Sequence, residues 1–427
     1  MGSILNFVSI GDEVGNGHNV FVKENPSLRF MHNTFTDLIR YESPDKDILI
    51  NEFESIKLSN LISYTQNLEL KSDCKNIIVY EVWDLNWLIL HESYLLNYIL
   101  NNLNEKCIEY LNNNKLKIIL SNIGEASILD MDFFKKFEKY INSKGFSSKN
   151  FIFIDGNFDL NKIDSNFKIY TPNHFLSIVP DMIGMNQLGY ESSQPTIEDV
   201  KTKTNRRKHF LSFNRAERVH RGVLVSHIIK NNLLNKFHLS ALREFEESVH
   251  YNDPRISQYK PYITKINNIV PIQIDTHKYK NENMDFWPGN CFDKELFLDS
   301  YFHLCTETFF FENGVTFFTE KMLKPIIGLQ PFIVMGSYKY LDNLKKLGFK
   351  TFENIFDESY DMIEDPFDRI LAILELIDEI CSWDLETCHE KYKSVLDICI
   401  YNHNHLYNNI KDDNEIFKMI KNIADEW

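Results

Sequence analysis

The 427-residue chain has no apolar run near the roughly 18–20 residues that a membrane-spanning helix requires. Its start, Met1-Gly2-Ser3-Ile4-Leu5, lacks the basic and apolar segments of a secretory signal. Seven scattered cysteines form no C-x-x-C pair, which excludes a zinc ribbon or a disulfide framework and predicts reduced thiols in a cytoplasmic protein. H-E-x-x-H and 2-His-1-carboxylate groupings are missing, so the usual metal-hydrolase and oxygenase sites are excluded. Neither G-x-S-x-G nor a Walker A loop occurs, which removes nucleophile-elbow hydrolases and P-loop NTPases. Internal repeats are also lacking.

Cations are in deficit: 46 Lys+Arg face 61 Asp+Glu, a net charge of −15. Such a field repels phosphate backbones and anionic lipid, so neither nucleic acid nor a membrane surface is expected as a partner. With 43% hydrophobic residues the chain has ordinary globular composition, and its length calls for two or three domains.

What is present is an alternation of short apolar runs and helical periods. Residues 77–82, 116–120, 151–154 and 167–170 read as strands, while 85–111 and 130–141 read as helices, the second closed by Gly145. Alternation at this spacing predicts a parallel α/β sheet. Gly11, Gly15 and Gly17 fit no dinucleotide fingerprint and read as a turn. Periodicity fades over 181–208, the expected domain boundary, and 251–289 reads as an irregular loop. Strands follow at 210–213, 301–306 and 331–335, with helices at 218–234, 319–328, 338–347 and 365–380. The expected organisation is therefore an N-terminal domain 1–200, a C-terminal domain 201–400, and terminal helices 401–427 that return to the first domain.

Two segments carry charge where a strand gives way to a helix. The first is Ser212-Phe213-Asn214-Arg215-Ala216-Glu217-Arg218-Val219-His220-Arg221. Ligands of open α/β sheets bind beyond the carboxyl ends of strands, where arginines hold diphosphates well. A surface helix start paired with Glu217 is the plainer reading of the same residues. The second runs from Glu307, through aromatics, to Thr319-Glu320-Lys321-Met322-Leu323-Lys324-Pro325. Thr319 suits an N-cap, and Lys321 then lies at the positive end of the helix dipole, where an anion would relieve it. Lys324 falls on nearly the same face. Simple helix capping explains Thr-Glu equally well. The acidic pair Asp130 and Asp132 starts a helix and reads as a terminal charge preference rather than a metal motif.

Glu307, the spacer, Thr319-Glu320-Lys321, Lys324-Pro325 and Gln330-Pro331-Phe332-Ile333-Val334-x-Gly336 together resemble the donor-site block of α1,3-fucosyltransferases and exostosin-like glycosyltransferases. The resemblance covers residues 208–375 only. It implies a GT-B fold: α/β, two Rossmann-like domains facing across a cleft. It implies inverting, metal-independent sugar transfer from a nucleotide-sugar, GDP-linked by preference, to a glycan acceptor, with no other cofactor. It places Glu320 on ribose, Lys321 on phosphate with Lys324 beside it, Arg215 or Arg218 on the pyrophosphate, and Glu307 near the transferred sugar. The catalytic base would sit at an N-terminal strand end: Glu125 is preferred over Glu81 with Asp84, and a solvated loop carboxylate is its plainer reading. Two other readings keep the scaffold: a non-catalytic nucleotide-sugar or glycan binder, and a CDP-polyol phosphotransferase.

Overall fold

The computed structural model describes residues 5–10, 48–53, 70–81, 85, 100–101, 103–173, 175–176, 194–272, 292–410, 418–419 and 421–423. The chain divides into two compact units, Met1–His174 with Asn414–Trp427, and Phe175–Asp413.

The first unit holds a six-stranded sheet of β1 (Leu5–Ile10), β2 (Ile48–Phe53), β3 (Lys75–Glu81), β4 (Leu116–Asn122), β5 (Phe151–Asp155) and β6 (Lys168–Tyr170). The spatial order is β2-β1-β3-β4-β5-β6, with every neighbouring pair parallel. Two helices are described here, α1 (Glu105–Asn112) and α2 (Met131–Ser143). In α2 the spacing of Phe133, Phe134, Phe137 and Ile141 buries one stripe. Phe137 meets Phe151, Phe153 and Phe167 edge-on at 5.6, 5.1 and 5.2 Å, the geometry that ring quadrupoles favour. Asp130 caps α2 by accepting from Phe133 N at 2.8 Å, and Gly145 ends it with φ +83°. The acidic pair 130/132 is thus a cap and, through Lys136, an exposed ion pair.

The second unit carries α3 (Ile197–Thr202), β7 (Lys208–Asn214), α4 (Val219–Lys230), β8 (Phe237–Ala241), α5 (Lys260–Asn267), α6 (Lys294–Leu298) and β9 (Ser300–Thr306). After these come α7 (Glu320–Ile327), β10 (Phe332–Met335), α8 (Tyr340–Lys346), α9 (Pro366–Ser382), α10 (Leu385–Ser394) and α11 (Leu396–His405). Its sheet runs β10-β9-β7-β8, again all parallel. The chain goes from β7 outward to β8, then returns to the other side of β7 to lay down β9 and β10. The order therefore reverses between β7 and β9, the position where open α/β sheets leave a crevice.

The α/β class with parallel sheets is as expected; some elements are not. Helix 85–111 does not run through, because Asn104 caps a new start at Glu105 by accepting from Cys107 N; residues 86–99 lie outside the described ones. The stretch 251–289 contains α5, since Pro261 in a first turn removes no helical hydrogen bond, and Ile263 and Ile266 are buried. The polar segment 181–208 contains α3, capped reciprocally by Thr196 and Asp199. The glycine-rich opening and Asp84 lie outside the described residues. Among those residues no helix is long and apolar enough to cross a membrane, and six cysteines are buried free thiols.

Candidate functional site

At the reversal point the ends of β7 and β9 are stitched by short polar side chains. Thr306 Oγ1 donates to Asn214 Oδ1 at 2.8 Å, Asn214 Nδ2 to Ser212 Oγ at 3.2 Å, and Ser212 Oγ to Leu304 O at 3.0 Å. Beyond them Arg215 and Arg218 are exposed. Arg218 occupies the N-cap of α4 without a side-chain capping bond, and its Nη1 donates to Glu217 O at 3.0 Å.

Arg221 turns the other way. It is one of nine consecutive buried residues, His220 to Ile228, in α4. Its guanidinium donates to Ala216 O at 3.0 Å, Thr306 O at 2.8 Å and Glu307 O at 3.1 Å. Burial, then the neighbouring charge of Arg218, brings it down to about 10, while Glu307, Glu320 and Glu217 oppose the change. The group remains a cation at neutral pH. Arg221 thus locks the start of α4 to the end of β9. The reading of the charged segment left this role unassigned.

His220 faces the same strand end, with Nε2 3.0 Å from Glu307 O and its ring stacked 5.0 Å from Phe310. Burial and the charge of Arg221 hold it well below the usual imidazole range. It is neutral, and because a carbonyl only accepts, Nε2 carries the hydrogen.

Glu307 is 1% exposed. Oε1 accepts from Tyr340 OH at 2.8 Å; Oε2 accepts from Thr319 Oγ1 at 2.7 Å and Thr308 N at 3.3 Å. Burial raises its pKa, against the opposing effects of Lys321 and the Thr319 bond. Both oxygens thus accept hydrogen bonds from within the unit, where two hydroxyl-bearing side chains close over them.

Thr319 is the N-cap of α7, accepting from Lys321 N at 3.3 Å. Glu320 Oε1 pairs with Lys321 Nζ at 2.8 Å, and Lys321 Nζ also donates to Thr319 Oγ1 at 3.3 Å. Burial pushes the Glu320 carboxyl up, but the charges of Lys321 and Lys324 outweigh it and hold the group below the usual range. The chain thus supplies its own anion for the cation at the dipole's positive end. Lys324 is buried with its ammonium 4.8 Å from the Phe213 ring centroid. Pro325, inside α7, offers no N–H to Lys321 O four residues back; Cys305 Sγ donates to that carbonyl at 3.4 Å instead. The strand under the helix repairs the break.

The structure therefore gathers Arg218, Glu307, Glu320, Lys321 and Lys324 around Arg221 and Phe213. Arg215 stands on the same loop, exposed. Glu125 belongs to the first unit, half-buried in the turn after β4. Its amide donates to Asn122 O at 3.3 Å, and its carbonyl accepts from Gly156 N at 2.9 Å. Glu81 is the last residue of β3.

Asp155, which sequence reasoning missed, anchors that turn. Its Oδ1 accepts from Ser127 N at 3.0 Å and Asn157 N at 2.8 Å, and its Oδ2 from Asn122 Nδ2 at 3.4 Å. Complete burial pushes its carboxyl up to about 7, despite those hydrogen bonds. A lone acid closing the apolar strand Phe151-Ile152-Phe153-Ile154 was the legible signal. Among the described residues no group of three or more His, Cys, Asp or Glu side chains is placed to hold a metal ion.

No family model matches the chain, and no curated protein does. Solved structures similar to it include an α,α-trehalose-phosphate synthase (UDP-forming) from Burkholderia vietnamiensis, 9% identical, covering 100% of this chain and 99% of that one, with a TM-score of 0.44. A glycosyltransferase from Rickettsia africae is 10% identical over 99% of this chain and 98% of that one, TM-score 0.42. An α-glucosyltransferase in complex with UDP-glucose and DNA containing an abasic site is 12% identical over 99% and 98%, TM-score 0.41.

Proposed function

We propose that this chain is a nucleotide-sugar-dependent glycosyltransferase of GT-B organisation whose second unit holds the donor's nucleoside diphosphate. One observation carries the reading: the β7/β9 reversal point is flanked by the capped start of α7, with Glu320 and Lys321 in its first turn, and by the exposed arginines that follow β7. In this reading the Glu320 carboxylate accepts hydrogen bonds from ribose hydroxyls. Lys321, with Arg218 or Arg215, neutralises the diphosphate, and Lys324 supports Glu320 from below. A GDP-linked donor and a glycan acceptor remain the preferred substrates.

The reaction is an inverting displacement at the anomeric carbon. The acceptor hydroxyl forms the new C–O bond as its proton passes to a carboxylate, for which Glu125 is proposed. The bond to the diphosphate oxygen breaks, and the leaving charge falls on Lys321 and arginine. Fixed cations do the work that a divalent ion does in other transferases. Transfer is accordingly expected to persist in excess EDTA. Loss of activity on chelation, restored by Mg²⁺ or Mn²⁺, would show the assignment of the cations to be wrong.

The donor site is tested by calorimetry with GDP, UDP, CMP and dTDP. Lys321→Ala is expected to weaken binding of the preferred nucleotide by about 1.5–3 kcal/mol, the scale of a charge-assisted hydrogen bond. Equal binding by wild type and variant would move the site elsewhere.

A further inference from the structure

The geometry points to Glu307 as a positioning residue that acts through the Thr319 hydroxyl to set the Lys321 ammonium for a diphosphate. The inference rests on the donor-site reading above and concerns how that site is held.

A threonine hydroxyl has one proton and two lone pairs, and whichever group takes the proton decides where the lone pairs face. Glu307 Oε2 takes it at 2.7 Å. The oxygen is thereby left as an acceptor for the α7 start, and both Lys321 N and Lys321 Nζ lie 3.3 Å from it. The order is carboxylate, hydroxyl, then the backbone and ammonium of a single lysine.

The carboxylate is itself held from several sides. Tyr340 OH donates to its other oxygen at 2.8 Å, and its main-chain carbonyl is gripped by Arg221 and His220. The Tyr340 ring sits edge-on to Phe318 at 5.1 Å, directly before the Thr319 cap in sequence. It also lies over Gly336, where any added Cβ would come within 2.9 Å of ring carbon Cδ2. This assigns a task to the glycine that ends the Pro331–Gly336 run: it lets the tyrosine reach Glu307. Both carboxylate oxygens accept hydrogen bonds from within the unit. Its influence on a ligand passes through Thr319.

Calorimetric titration of inorganic pyrophosphate and of GDP and UDP tests the chain of contacts. Glu307→Met removes both acceptors at similar volume, and binding of the preferred ligand is expected to fall roughly tenfold, the coupling scale of contacting residues. Thr319→Val, nearly isosteric, should lose the same factor, and it carries the test if the methionine variant does not fold. Glu307→Gln keeps an oxygen toward Thr319 and Thr308, and should stay within about twofold of wild type, as a carboxylate acting directly on substrate would not. In a Lys321→Ala background, Thr319→Val should cost nothing further. Binding by wild type with additive losses in the double variant, or with Glu307→Gln as weak as Glu307→Met, overturns the positioning role alone. A wild-type protein that binds none of the three ligands overturns the donor-site reading and this inference with it.

Discussion

Arg221→Met is expected to destabilise the second unit by about 2–4 kcal/mol, a fall in melting temperature of roughly 5–15 °C for a unit of this size. The guanidinium donates to three main-chain carbonyls, those of Ala216, Thr306 and Glu307. Methionine fills similar space and spares the cost of a buried charge, which keeps the loss below that of breaking a buried ion pair. It still leaves those carbonyls short of donors. Two of them belong to the carboxyl end of β9, so the connection from β9 to α4 loosens where Glu307 and the polar stitch to β7 are held. Arg221→Lys should recover little, because one ammonium cannot reproduce a planar fork that reaches carbonyls on two segments. Thermal unfolding of the three proteins decides the matter. A methionine variant that melts with wild type would show that Arg221 is not the lock described here.

Asp155 governs the second large effect, a pH dependence whose sign is opposite to that of an ion-paired carboxylate. Burial raises its pKa to about 7, above the unfolded value near 3.8, so the folded chain binds more protons than the unfolded chain between those limits. The contribution to stability is fully present below the unfolded pKa and is lost as pH rises toward and through about 7. Over that window wild type is expected to lose roughly 2–4 kcal/mol through this group, because each tenfold change in proton affinity is worth about 1.4 kcal/mol. Asn122 Nδ2, which donates to Ser127 Oγ at 2.9 Å and to Asp155 Oδ2 at 3.4 Å, works against this rise but does not cancel it. Asp155→Asn makes the neutral state permanent. Urea unfolding between pH 5 and 8 should show a flatter stability profile for the variant and a clear advantage over wild type at pH 8. Every other titrating group is common to both proteins, so the difference between the curves isolates Asp155. Parallel curves would mean that the carboxyl is ionised throughout.

Both effects bear on the turn and strand ends that carry the candidate residues. Asp155, Gly156 and Asn157 bind the turn that bears Glu125. Arg221 and Glu307 bind the start of α4 and the cap of α7 to β9. In each unit a parallel strand end is stiffened by buried polar groups instead of apolar packing. Such networks are costly when one member is removed.

The sequence by itself determined the α/β class, most strands, helix α2, and the Thr319 cap of α7. Each of these depends on contacts within one or two turns, or on the period of an apolar face, and local patterns record such contacts directly. It also narrowed the charged residues to two short segments. Tertiary structure alone decided which members of those segments face inward. Arg221 reaches a carbonyl 85 positions away, and Glu307 accepts from a tyrosine 33 positions later. Neither distance leaves a period in the chain. The order β10-β9-β7-β8, which puts the strand reversal beside Asn214 and Thr306, is likewise set by where β9 docks after β8 is complete. The hydroxyls of Thr319 and Tyr340 close over the buried Glu307 carboxylate in the same way. A carboxylate's role follows from the groups that close over it, and those arrive from distant parts of the chain.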